Sequence, residues 1–338
     1  MKLVREEQAD ILKGIGIVFM VAGHTGLLVS LKVDGYVGAF YMPMFFFVAG
    51  YFMQIERYTL GNYFYRKLKQ LLIPYVIWSL FHLLLWFFAW KVGITLEGEL
   101  NDVFKGIVWD NNKHFPIAGA LWFITALFIA SMTTFAAIRM FRIKMAGLFV
   151  SAIVLVGLYI APFIPLSGDS AMVAIGFFYL GFLFRYKNVS MWLSNLKSMV
   201  SLVGLFIAIA LYVIFADVNG SVNVRVCSYG NFPILFFLTA LIGIFIWWQI
   251  SRGLSNAKDK NLVLWKVAEL FAYVGRYSMP YLCLNQLIIA FAENLLSRGG
   301  TAEQVLLTVI ALTICTVINE VGLRIKPRWN IYGLLFGR

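Results

Sequence analysis

Charge is scarce in this chain: 13% of its 338 residues are Asp, Glu, Lys or Arg, about half of the roughly 25% usual in a soluble domain. Cysteine is scarcer still. Cys227, Cys283 and Cys315 stand far apart with no C-x-x-C pair, which disfavours a disulfide scaffold and a cysteine-based metal site. The histidines are His24, His82 and His114. No H-E-x-x-H, G-x-S-x-G or G-x-x-x-x-G-K-S/T pattern occurs, which disfavours zinc hydrolases, serine hydrolases and P-loop ATPases. Gly14-Ile15-Gly16 is too short for a nucleotide loop and reads as a site of close helix packing in a bilayer.

What the chain has instead is apolar surface. Its composition is 61% hydrophobic and its mean hydropathy is +0.83, more than one globular core can hide. The expected fold is therefore all-α, a polytopic transmembrane helix bundle forming one domain over residues 1–338. Apolar stretches near 11–31, 38–54, 71–90, 119–138, 146–161, 172–184, 198–216, 232–251, 275–296 and 302–323 predict about ten spans, several near the roughly 20 residues that cross hydrocarbon. The stretches 38–54, 146–161 and 172–184 are the shortest.

Basic residues set the orientation, because lysine and arginine accumulate on the cytoplasmic side of short loops. With both termini cytoplasmic, all of the 28 basic residues fall inside except Lys32, Lys91, Lys105, Lys113, Arg225 and Arg298. This segregation accounts for the net charge of +12 through insertion and the anionic inner leaflet, so nucleic acid is not an expected partner. The first apolar run has no small-residue cleavage site and reads as a retained span in the cytoplasmic membrane. Nothing in the sequence bears on oligomeric state.

His24 is an imidazole inside an apolar run, eleven residues after Lys13. Eleven residues make about three helical turns, so the two side chains share one face about 16 Å apart. An ionisable group within a span is costly, and the face that carries it is expected to line a cavity. The longest hydrophilic connection, Lys91 to Ala118 with Lys113 and His114, reads as a solvated outer loop or a lid. An inner loop is expected from Gln54 to Gln70, where Tyr63-Phe64-Tyr65-Arg66-Lys67 mixes aromatic and basic side chains as an interfacial anchor or a platform for a cytosolic cofactor. No internal repeat of the kind found in secondary transporters is discernible.

Several segments together resemble the integral-membrane acyltransferase family 3, in particular its fucose acetyltransferase-like sugar O-acetylases. Asp10-x-x-Lys13-Gly14 followed by His24 is similar to that family's basic residue, ten residues and histidine. Met42-Pro43-Met44-Phe45-Phe46-Phe47-Val48-Ala49-Gly50-Tyr51 is similar to H-M-P-L-F-F-F-x-S-G-Y. Arg66 with Leu72-Ile73-Pro74-Tyr75, Leu121-Trp122-Phe123-Ile124, and Gly275-Arg276-Tyr277-Ser278-Met279-Pro280-Tyr281 complete the likeness. Tyr41 stands where many relatives have a histidine, Ala49 where they have serine, and Asn285 where a late histidine is common, which leaves the acceptor open.

The resemblance implies transfer of an acyl group, usually acetyl from acetyl-CoA, to a hydroxyl of a cell-surface glycan or lipid-linked sugar, with no metal. A neutral imidazole can take the proton of an attacking alcohol, worth about 10²- to 10⁴-fold, and His24 is the expected base. Lys13 and Arg66 are then expected at the CoA phosphates, with Tyr75 and Trp122 also at the donor. Each has a plainer reading: His24 as an interhelical pin, Lys13 as a snorkelling lysine paired with Asp10, and Arg66 as a positive-inside anchor. Tyr75, Trp78, His82 and Trp86 recur at helical spacing, either as a sugar-binding face with His82 a second catalytic candidate, or as packing. Ser278, Tyr281 and Asn285 share a face that contacts the acceptor or joins helices, and Glu320 is expected to pair with a loop cation. The alternative function is a proton-coupled or substrate transporter, with Lys13, His24 and His82 on its pathway.

Overall fold

A computed structural model describes residues 6–91, 100–111, 119–257, 261–295, 300–325 and 331–337. Lys113 and His114 lie outside the described residues, as does much of the expected outer connection. The elements are α1 (Glu7–His24), two single turns α2 (Leu27–Ser30) and α3 (Asp34–Gly38), α4 (Tyr41–Tyr51), α5 (Leu60–Lys67), α6 (Ile73–Lys91), α7 (Leu100–Val108), α8 (Trp122–Tyr159), α9 (Gly168–Tyr186), α10 (Val189–Ser194), α11 (Ser198–Asn219), α12 (Pro233–Ser255), α13 (Leu262–Arg276), α14 (Ser278–Leu295), α15 (Thr301–Arg324) and α16 (Ile331–Phe336). Among the described residues there is no strand, only an isolated bridge between Asn223 and Ser228.

Among the described residues, the segments long and apolar enough to cross a bilayer are Leu60–Lys91, Gly119–Tyr159, Gly168–Tyr186, Met199–Asn219, Pro233–Ser255 and Thr301–Arg324. The other expected spans take different forms. α1 carries Glu7, Asp10 and Lys13 in its first half, and α4 is 11 residues long, about 16 Å against a hydrocarbon thickness of about 30 Å.

One sequence expectation is corrected. The expected inner loop over 54–70 is helical from Leu60, because the Thr59 hydroxyl caps Asn62 N–H at 3.3 Å and a π-helical stretch, Leu68–Leu72, joins α5 to α6 without a break. The expected spans 119–138 and 146–161 lie on either side of Arg142, whose non-helical backbone (φ 61°, ψ 165°) kinks α8 into two helices, a conformation worth about 1–3 kcal/mol of local strain in a non-glycine residue.

α1 is the axis of the site, packed by α13, α12, α4, α14 and α15. Its crossing with α13 is so close that a Cβ on Gly275 would stand 1.8 Å from the Asp10 carbonyl oxygen, and one on Gly14 2.0 Å from that of Phe271. Around this contact Ile11 and Ile15 pack on Ala268 and Ala272. The packing expected of Gly14 is thus what the structure contains. α4 and α9 meet in the same way through Gly50 and Gly181, and small residues at such crossings are how helices associate where lipid offers no hydrophobic driving force.

Candidate functional site

Acidic Glu7 and Asp10 occupy the first turn of α1, where they complement the helix dipole, and the helix ends at Thr25 before left-handed Gly26 (φ 77°). His24 is therefore the last helical residue, half-buried at the end opposite Glu7. Thr25 pins this end to α15 through a hydroxyl pair with Thr308 at 2.8 Å.

The imidazole is held from α14. His24 Nδ1 lies 2.5 Å from Asn285 Oδ1, and Asn285 is completely buried. Asn285 Nδ2 donates to the carbonyls of Tyr281 (2.6 Å) and Leu282 (3.1 Å). Because carbonyls only accept, this fixes the amide with its oxygen toward His24, and an amide oxygen also only accepts. In the neutral imidazole Nδ1 therefore carries the proton, which leaves Nε2 as the basic nitrogen. Asn285, expected either at the acceptor or as a join between helices, links α14 to α1 through the imidazole.

His24 opens on a cavity of about 360 Å³ whose lining includes Asp34, Tyr41, Met42, Trp122, Asn223, Arg225 and Gln286. Its rim contains exposed Val29, Asp34, Ser221 and Asn223, so it meets solvent at the end of α1 remote from Glu7. Gln286 steadies one wall by accepting the Ala120 N–H at 3.1 Å, which holds the 3₁₀ turn Gly119–Leu121 that leads into Trp122. Trp122 is buried against Phe46 and Phe123.

A second, apolar chamber of about 170 Å³ lies along α1 between Lys13 and His24. Ile17 and Met20 line it from the same stripe of α1, facing Phe45, Leu71, Phe123 and Ser278, and Met42 lines both this chamber and the polar cavity. The stripe of α1 that carries Lys13 and His24 thus lines this chamber through Ile17 and Met20. At the foot of the stripe Lys13 Nζ is 2.8 Å from the buried Asp10 carboxylate, the i,i+3 pair expected from sequence.

Arg66 belongs to another cluster, at the start of the Leu60–Lys91 segment. It bonds to the Tyr58 hydroxyl and lies over that ring at 5.1 Å, Arg57 lies over it at 5.4 Å, and Arg139 donates to the Tyr58 carbonyl at 2.5 Å. Arg57 also lines a surface cleft of about 710 Å³ that it shares with Gln54, Glu56 and Arg185. At this same end Tyr51 donates to Glu6.

The aromatic row of α6 is packed rather than open. Tyr75, Trp78, His82 and Trp86 are all buried; the Tyr75 hydroxyl donates to the Ile107 carbonyl at 2.7 Å, and Trp78 Nε1 donates to that of Leu335 at 2.8 Å. His82 Nδ1 donates to the Trp78 carbonyl at 2.7 Å, and none of these side chains lines the cavity of His24. Glu320 pairs at 3.9 Å with Arg324, one turn on in the same helix rather than in a loop, and also accepts from Tyr273 at 2.5 Å. Two groups that sequence reasoning did not place in the site are Tyr41 and Arg225. Burial draws the Arg225 guanidinium below the ordinary arginine value, and the nearby Tyr41 phenol partly restores it.

A family model described as an acyltransferase domain, that of acyltransferase family 3, matches residues 6–320. The chain belongs to that family. No curated protein and no solved structure matches. Membership decides between enzyme and transporter: the protein is an acyltransferase embedded in a bilayer, and its reaction requires an acyl donor and an acceptor. The matched region contains α1, the cavity, the chamber and every side chain that lines them.

Proposed function

We propose that this acyltransferase moves acetyl from acetyl-CoA to a hydroxyl of a cell-surface glycan or lipid-linked sugar at the cytoplasmic membrane, in one catalytic domain. The observation that carries this reading is the pair of cavities along α1, polar at His24 and apolar below it, with Met42 lining both. A long, thin thioester arm suits the apolar chamber, and a sugar suits the polar cavity, whose volume lies at the lower end of the usual range for ligand sites.

In this reading the CoA phosphates and adenine stay at the cytosolic end with Lys13, Arg66 and the Tyr58 ring, and guanidinium groups suit phosphate oxygens. The pantetheine arm runs past Ile17, Met20 and Ser278, with Trp122 above. His24 Nε2 takes the proton of the acceptor hydroxyl as its oxygen attacks the thioester carbon. Asn285 acts through His24 as a positioning residue, because the Nδ1–H bond to its amide keeps Nε2 free and strengthens once the imidazole is charged. Tyr75, Trp78 and His82 take no part in these steps.

The test is transfer of labelled acetyl from acetyl-CoA to candidate glycans by purified protein. Wild type is expected to label a glycan and a folded His24→Ala variant to lose at least about 10²-fold in rate. Undiminished transfer by His24→Ala eliminates the proposed base, and the absence of transfer to any glycan by wild type, with CoA still released, moves the acceptor to another chemical class.

A further inference from the structure

Tyr41 and Arg225 share the polar cavity with His24 and have no role in the steps above. Arg225 arrives from the connection between α11 and α12, a tight loop rather than a loose tether. Val222, Val224 and Tyr229 are buried, Ser170 of α9 donates to the Arg225 carbonyl at 2.9 Å, and Asn223 Oδ1 accepts the Arg225 N–H at 3.2 Å. The guanidinium rests where Gly119 has no side chain: a Cβ there would stand 2.4 Å from Nη1. Tyr41 is the first residue of α4, one place before Met42, and its hydroxyl makes no hydrogen bond among the described residues. Each of the two lies within electrostatic reach of the other.

We propose that the Tyr41 hydroxyl and the Arg225 guanidinium form the oxyanion site of the transfer. This rests on the reading of His24 as base and thioester as donor. When the acceptor oxygen attacks, its proton passes to His24 Nε2 and the carbonyl π pair moves onto oxygen. Tyr41 O–H and an Arg225 N–H then donate to that oxyanion. Collapse restores the C=O bond and breaks the C–S bond, and the thiolate takes the proton back from the imidazolium, so ester and thiol leave with all atoms accounted for. Donors held in place before charge develops are more effective than water, which must reorient to solvate it.

The experiment measures kcat and both KM values, with acetyl-CoA and a labelled glycan, for Tyr41→Phe, Arg225→Gln, Arg225→Lys and Gly119→Ala in the full chain, with the thermal midpoint as folding control. Tyr41→Phe and Arg225→Gln are each expected to lower kcat about 10²- to 10³-fold, the usual effect of losing one oxyanion donor, with both KM values nearly unchanged. Gly119→Ala alters neither donor but displaces the guanidinium, and should lower kcat with the same unchanged KM values. Wild-type kcat in Tyr41→Phe and Arg225→Gln overturns the proposal, and so does a loss confined to the acceptor KM, which makes them sugar contacts. If His24→Ala stays active while Tyr41→Phe does not, the base reading fails and the oxyanion site stands.

Discussion

Replacing Asn285 with leucine removes the acceptor for His24 Nδ1–H while keeping a side chain of similar size. In the resting enzyme that bond, at 2.5 Å, selects the tautomer with a bare Nε2. In the transition state it carries more, because the imidazole is gaining charge. A hydrogen bond to a charged group contributes about 1.5–3 kcal/mol, and a tenfold change in rate corresponds to about 1.4 kcal/mol, so kcat should fall roughly 10- to 150-fold. Asn285 is fully buried and lines neither cavity, so the KM for acetyl-CoA and for the glycan should not move. Initial rates of thiol release and label transfer, with both substrates varied, separate these quantities. A leucine variant that turns over at the wild-type rate refutes the positioning argument. A raised acceptor KM with unchanged kcat returns Asn285 to the sugar contact expected from sequence.

Other substitutions probe the scaffold. Gly275→Ala places a methyl group 1.8 Å from the Asp10 carbonyl oxygen, so α1 and α13 must separate; overpacking of this kind costs about 1–3 kcal/mol, which a lower thermal midpoint and reduced transfer would register. Gly204→Ala in α11 is the matched control: a Cβ there meets nothing within 4 Å, and losing a helical glycine should stabilise by about 0.5–1 kcal/mol. His82→Phe should leave turnover within about twofold of wild type, since the imidazole is buried in the α6 row and, among the described residues, bonds to a backbone carbonyl alone; a loss as deep as that of His24→Ala would return His82 to the catalytic machinery.

Apolar length read some of this fold well and some of it poorly, for identifiable reasons. Stretches expected at 198–216, 232–251 and 302–323 correspond to Ser198–Asn219, Pro233–Ser255 and Thr301–Arg324, because a span's hydrophobicity depends on composition alone. α13 escaped notice: Lys266, Glu269 and Arg276 lower its hydropathy, and what holds it is a face of Ala268, Ala272 and Gly275 against α1. The break at Arg142 is marked in composition, because Arg139, Arg142 and Lys144 separate the apolar stretches 119–138 and 146–161. Helix periodicity placed Lys13 and His24 on one stripe, since both lie on one uninterrupted helix, and the chamber follows that stripe through Ile17 and Met20. The partners across the cavity were illegible for the opposite reason. Arg225 lies 201 residues from His24 in a connecting loop, where charge counting registered only an exception to the inside rule, and the Asn285 contact depends on how α14 is rotated against α1.

In the proposed reaction acetyl-CoA enters from the Lys13 end of α1 and the glycan from the His24 end, so the two substrates approach from opposite sides of the membrane. Sealed vesicles holding purified enzyme, with labelled acetyl-CoA trapped inside and the glycan acceptor only outside, test it directly. Label is expected on the external glycan from wild type and none from His24→Ala. Label that forms only when acetyl-CoA and glycan share a compartment, in vesicles shown to stay sealed, would contradict it.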